Sequence, residues 1–240
     1  MPFFSVLFVA ILPALVLLFY IYKKDIYKPE PTNQMFKAFG YGCLSTFIAM
    51  IIELPIMIIV SLINIPVIQE ILQAFCVAAI LEEAVKLLLL YIFFKRCHFY
   101  DEYVDGIVYA VCVGLGFATV ENIEYLFTAE DWMSVGILRA LLSVPGHYAF
   151  AVIMGYYYSL YVFSGRRNLQ YKYLILFAPV LAHGIFDALL MVSSISVGGS
   201  FLLMVAFFYF NYKLHKGCSS KIQELLRRDR EVTYRTINPQ

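Results

Sequence analysis

Apolar residues run along this chain in long unbroken blocks, and the polar residues that interrupt them are gathered between the blocks. Seven blocks reach or approach the about 20 residues a helix needs to cross a hydrocarbon slab about 30 Å thick. They are 3–22, 36–63, 67–94, 104–127, 137–163, 172–192 and 199–214. Lipid offers no partner to a bare peptide group, so each block is predicted to be helical, even where Ile51 and Ile52 or Ile58, Ile59 and Val60 look strand-like. The expected fold class is all-α, a polytopic membrane helix bundle of about seven transmembrane helices.

Composition supports the same reading. Of 240 residues, 62% are apolar and 15% charged, and a chain this size buries only about three quarters of its unfolded surface, too little to hide that surplus from water. The five cysteines are far apart, without the close spacing of a disulfide framework or zinc cluster. Charge placement adds direction: 16 of 18 Lys and Arg fall in alternate connections and the carboxyl-terminal segment, the exceptions being Lys86 and Arg139. By the positive-inside bias those connections are cytoplasmic, so the amino terminus is expected outside and the carboxyl terminus inside. The first block lacks a basic region before it and is read as a retained helix. Pro29 and Pro31 make the first connection extended. Residues 1–215 are read as a single membrane-embedded domain and 216–240 as a basic cytoplasmic tail. Ser219 to Arg230 is taken as solvated, with an amphipathic helix on anionic lipid as the alternative.

Ionisable groups inside the blocks carry the chemistry, because each costs at least about 2.5 kcal/mol at the bilayer centre and tends to face the bundle interior. Glu82 with Lys86, Glu121 with Tyr125, and His183 with Asp187 are each four apart, which puts both members on one helix face. Lys86 is the natural counter-charge of Glu82, and Asp187 the natural orienter of the His183 imidazole. Glu83 is about 100° from Glu82, so both can border one cavity, though they cannot point the same way. His147 follows Pro145 and Gly146, and Pro179 precedes His183 by four, so both histidines lie where a helix is easily opened. Counted from the flanking charges, these groups converge roughly 16 to 24 Å from the cytoplasmic side, which suggests one polar chamber facing outward. Glu53, two residues before Pro55, reads as a satisfied kink residue, Glu124 as solvated, and Asn122 as bonding either the partner of Glu121 or a backbone carbonyl, where it braces the bundle. Gly106, Ala110 and Gly114 form a small-residue face for close helix packing.

The segments LEEAVK (Leu81 to Lys86), DGIVYAVCVGLGFATVENIEYL (Asp105 to Leu126), RALLSVPGHYAF (Arg139 to Phe150) and LAHGIFDALL (Leu181 to Leu190) resemble the motif regions of the PrsW family of bacterial intramembrane proteases. That family is related to the type II CAAX prenyl endopeptidases and is associated with site-1 cleavage of membrane-bound anti-sigma factors. The resemblance covers most of residues 10–215. It implies that Glu82 and Glu83 stand where the family's paired glutamates act, and His147 and His183 where its essential histidines lie. The chain differs from the CAAX peptidases at Lys86, at Glu121 and at Asp187, which argues against prenylated substrates.

Peptide hydrolysis needs an activated water, a donor for the oxyanion and an acid for the leaving amine. The expected catalytic set is Glu82, Glu83, His147, His183, Glu121 and Asp187, supported by Lys86, Asn122 and Tyr125. A glutamate mechanism without cofactor is preferred, since Lys86 beside Glu82 would repel a cation; a Zn²⁺ held by Glu and His ligands is the alternative. The expected partner is a single-span, anti-sigma-factor-like membrane protein cut near the outer face of the bacterial plasma membrane, with lipid around the enzyme and no nucleic acid. A proton- or ion-coupled transporter using the same Glu, His and Asp set is the rival function, but there is no inverted repeat of discontinuous spans.

Overall fold

The computed structural model describes residues 3–195 and 199–237, and among the described residues regular structure is helical throughout. The helices are α1 (Phe3–Lys24), α2 (Thr32–Ser61), α3 (Pro66–Leu72), α4 (Ile80–Phe94), α5 (Asp105–Thr128), α6 (Trp132–Leu138), α7 (Val144–Phe163), α8 (Leu169–Ile195) and α9 (Ser200–Ile237). Two wide π-helical segments, Gln73–Ala79 and Arg139–Ser143, join α3 to α4 and α6 to α7. Every predicted block falls, to within two residues at its ends, in one of these helices or continuous helical runs.

Among the described residues, five stretches are long and apolar enough to cross a membrane: α1, α2, α5, the run Trp132–Phe163 and α8. The remaining two expected spans differ for visible reasons. The run Pro66–Phe94 carries Glu70, Glu82, Glu83 and Lys86, and α9 is apolar only near its start. Large apolar side chains such as Phe4, Ile51 and Phe201 point outward, as a lipid-facing surface requires.

Helix α5 lies at the centre, with every side chain from Asp105 to Thr119 buried. Glycines make that centre possible. A Cβ on Gly155 of α7 would stand 2.3 Å from the Gly106 carbonyl oxygen, and one on Gly42 of α2 would stand 2.1 Å from the Val113 carbonyl oxygen. Helices α7 and α2 therefore press on α5 backbone to backbone, the close packing expected of the Gly106, Ala110 and Gly114 face.

The segment expected to be a solvated tail is packed. Helix α9 continues through residue 215 without a break, and Cys218, Ile222, Leu225 and Asp229 are buried. Asp229 accepts hydrogen bonds from the Tyr103 and Val104 amides at 2.7 and 2.9 Å, fastening the distal part of α9 to the loop before α5.

Candidate active site

Glu82, Glu83 and Lys86 lie in the first two turns of α4, directly after a π segment, and all three are buried. Their three- and four-residue spacings bring the Lys86 ammonium onto both carboxylates: Nζ donates to Glu82 Oε2 at 3.0 Å and to Glu83 Oε1 at 2.8 Å. Its third contact, at 3.2 Å, is to Nδ1 of His147 on α7. An ammonium has three N–H bonds and all are used here. The charge also sits 3.9 Å from the centre of the Phe117 ring. The expected counter-charge of Glu82 is thus shared with Glu83.

Each histidine is held from both sides. His183 Nδ1 lies 3.0 Å from Glu83 Oε1, and its Nε2 lies 3.1 Å from Asp187 Oδ2. With a carboxylate at each ring nitrogen, both nitrogens donate, an arrangement that a charged imidazolium satisfies. Phe150 stacks on the same ring, centroids 4.5 Å apart. His147 places Nε2 2.9 Å from Glu121 Oε2, leaving Nδ1 to accept from Lys86. Asp187 therefore occupies the orienting place expected of it, and Glu121 does the same for His147.

Two residues matter that the sequence reading set aside. Arg139 donates from Nη2 to Glu121 Oε2 and from Nε to Asn122 Oδ1, both at 2.6 Å, and its guanidinium lies 4.0 Å from the Tyr125 ring centre. Tyr125 thus joins the site through Arg139. Asn122 also donates to the Ala10 carbonyl of α1 at 3.3 Å, the bracing role. The available signal was that Arg139 is one of two basic residues outside the positive-inside pattern, and the other is Lys86. Glu53 corrects an expectation: its Oε1 is buried with no hydrogen-bond partner among the described residues, so it is not a satisfied kink group.

A cavity of about 910 Å³ opens on this cluster. Its polar wall includes Glu53, Glu82, Glu121, Arg139, His147, His183 and Asp187, and Met50, Leu54, Met57 and Leu190 are among its apolar walls. Glu83 and Lys86 lie behind Glu82, 1% and 3% exposed.

One ligand atom from each of Glu82, His147 and His183 lies within 4.8 Å of the other two. Two imidazoles and a carboxylate are a zinc donor set. Each imidazole also has a carboxylate on a ring nitrogen, the support that metal-ligating histidines use. The residue types therefore fit a divalent ion, but Lys86 already contacts two of the three donors, and the third, His183, would have to release one of its two carboxylates to offer a nitrogen. Ion and ammonium compete for the same place.

Comparison with known proteins agrees with the motifs. The family model described as PrsW family intramembrane metalloprotease matches residues 30–212. Protease PrsW of Clostridioides difficile strain 630 is 39% identical over 188 residues, 76% of this chain and 78% of that protein. Protease PrsW of Geobacillus kaustophilus strain HTA426 is 37% identical over 188 residues, 78% and 80% of the two chains. Protease PrsW of Bacillus subtilis strain 168 is 35% identical over 191 residues, 78% and 83%. No solved structure matches.

Proposed function

The chain belongs to the PrsW family of intramembrane proteases, multi-pass peptidases of the bacterial cell membrane, and from that premise we propose that the cluster around Glu82 and Lys86 is its hydrolytic centre. The observation that carries the proposal is convergence. Helices α4, α5, α7 and α8 each bring ionisable side chains to one wall of one cavity, at a cost that packing alone would not require.

In this reading Glu82, on the cavity wall with Oε2 bonded to Lys86, removes a proton from the attacking water and delivers it to the leaving amine. Glu83 and Lys86 are positioning residues. Lys86 fixes the Glu82 carboxylate, and Glu83 holds both Lys86 and His183. His183 turns an N–H from Asp187, which lines the same cavity, to the developing oxyanion, and His147, oriented by Glu121, shares the proton transfers. The family description names a metalloprotease, and a Zn²⁺ on Glu82, His147 and His183 would activate a water and polarise the scissile carbonyl. Glu121 and Asp187 orient the same two imidazoles in either case. Metal analysis of the purified, active protein separates the two forms.

A membrane peptidase acts on membrane proteins, and the proposed substrate is a single-span protein of the anti-sigma-factor kind, cut near the outer face. The apolar walls of the cavity suit such a segment. The proposed orientation keeps the amino terminus outside, following the basic connections. Relatives named as proteases leave the transporter reading without support. The test is co-expression with candidate single-span substrates. Wild type should cleave, while Glu82→Gln, present in the membrane at the same level, should not. Full activity in Glu82→Gln overturns the proposal.

A further inference from the structure

A second acidic group sits at the other end of α5, 16 residues from Glu121, or about 24 Å at about 1.5 Å per residue. Asp25 and Glu30 come from the α1–α2 connection, Glu102 from the loop before α5, Asp105 from the first turn of α5, and Asp229 from α9. All but Glu102 are at most 4% exposed.

Backbone groups satisfy only part of this charge. Asp25 Oδ2 accepts the Glu30 amide at 2.8 Å, and Asp105 Oδ2 accepts the Asp101 and Glu102 amides at 2.9 and 2.6 Å. The Tyr109 hydroxyl donates to Glu30. Among the described residues, Asp25 Oδ1, Glu102 Oε2 and Asp105 Oδ1 are left buried with no hydrogen-bond partner. One oxygen from each of these same three residues lies within 4.8 Å of the other two. Lys28, the cation in the same connection, pairs with Asp101 and is mostly exposed.

We propose that Asp25, Glu102 and Asp105 bind a hard divalent cation, Mg²⁺ or Ca²⁺, separate from the hydrolytic cluster. The donors are all oxygens, which select these ions over zinc or copper. Carboxylate oxygens from the first connection, the loop before α5 and the first turn of α5 converge, each residue also carries a buried oxygen without a hydrogen-bond partner among the described residues, and an ion between them replaces repulsion with coordination. Its role follows from the neighbours. Glu102 and Asp105 flank Tyr103 and Val104, the two residues whose amides Asp229 holds. The ion thereby ties the first connection to the platform on which α9 docks.

The test uses full-length protein in detergent, freed of metal with chelator, its thermal unfolding followed by intrinsic fluorescence. Mg²⁺ and Ca²⁺ are titrated separately at constant ionic strength, with Na⁺ as control. A saturable rise in the midpoint of about 5–10 °C is expected at about a hundredfold excess over the dissociation constant. The ion acting at the lower concentration identifies the occupant. Asp25→Asn and Asp105→Asn should each lose the rise, and metal-free Asp25→Asn should unfold at or above the wild-type midpoint, which separates loss of binding from loss of fold. A wild type indifferent to both ions, or Asn variants that respond like wild type, overturns the proposal. Stabilisation by about pH 6 alone, with no divalent effect at about pH 7.5, also overturns it, because protons would then relieve the repulsion. The readout does not use proteolysis, so its failure would leave the hydrolytic proposal standing.

Discussion

Replacing Lys86 with Met removes the ammonium while keeping an unbranched side chain of similar length, and the consequence can be worked out from three contacts. Nζ lies 3.0 Å from Glu82, 2.8 Å from Glu83 and 3.2 Å from His147. Glu83 is 1% exposed, so no water replaces the lost donor. Removing one partner of a buried ion pair costs about 3–5 kcal/mol. Glu83 keeps His183 at 3.0 Å, which puts the expected loss at the lower end, about 3 kcal/mol. At about 2–4 °C per kcal/mol for a chain of this size, the unfolding midpoint should fall by about 6–12 °C. The assay is thermal unfolding of the full chain in detergent, beside the double variant Glu83→Gln with Lys86→Met. Neutralising Glu83 removes the orphaned charge, so the double variant should recover at least half of the loss. A Lys86→Met midpoint within about 2 °C of wild type would refute the reasoning. So would a double variant less stable than the single one.

Arg139→Leu severs the two 2.6 Å bonds to Glu121 and Asn122. Water reaches part of this pair, so unfolding in detergent should show a loss of about 1–3 kcal/mol. Substrate cleavage should drop at least about tenfold, because Glu121 no longer holds His147 in place, and Arg139→Lys should restore part of both. Gly155→Leu should deplete folded protein from the membrane, since its Cβ would meet the Gly106 carbonyl oxygen at 2.3 Å and Ile107 Cα at 2.6 Å, backbone that cannot move aside. Gly217→Ala in α9, where a Cβ meets nothing within 4 Å, should instead stabilise by about 0.5–1 kcal/mol, read as a higher midpoint. Zn²⁺ should raise the midpoint of Lys86→Met more than that of wild type, because the ion and the ammonium contend for Glu82 and His147; equal shifts would remove the competition argument.

What was legible in the sequence is what local geometry and lipid impose. A bilayer accepts only helices with continuous apolar faces, so the seven blocks could be located without tertiary information. The pairings of Glu82 with Lys86 and of His183 with Asp187 were readable because a four-residue step fixes them within one helix. The bonds between helices were not readable in the same way. Glu83 with His183, His147 with Glu121, and Arg139 with Glu121 depend on the register of one helix against another. The packed distal part of α9 did leave a trace. Cys218, Ile222, Leu225 and Asp229 recur at four, three and four residues, a helical stripe, but Lys221, Arg227, Arg228 and Arg230 around it suggested a solvated surface.

The two π segments explain how separate helices come to one oxygen. An α-helix turns about 100° per residue, so Arg139 and His147, eight residues apart, would point about 80° away from each other. A wide π turn absorbs about one residue, so the pair behaves as though seven apart, within about 20° of alignment. Both do reach Glu121 Oε2, Arg139 at 2.6 Å and His147 at 2.9 Å, with the segment Arg139–Ser143 between their side chains. The other π segment, Gln73–Ala79, ends three residues before Glu82 and carries Phe75. A Cβ on Gly184 would stand 2.3 Å from that ring, so glycine beside His183 lets α8 close on the widened turn. That approach brings His183 to within 3.0 Å of Glu83. Neither QAFCVAA nor RALLS differs in composition from ordinary helix, so the widening is imposed by the packing it serves, one turn ahead of the residues it aims.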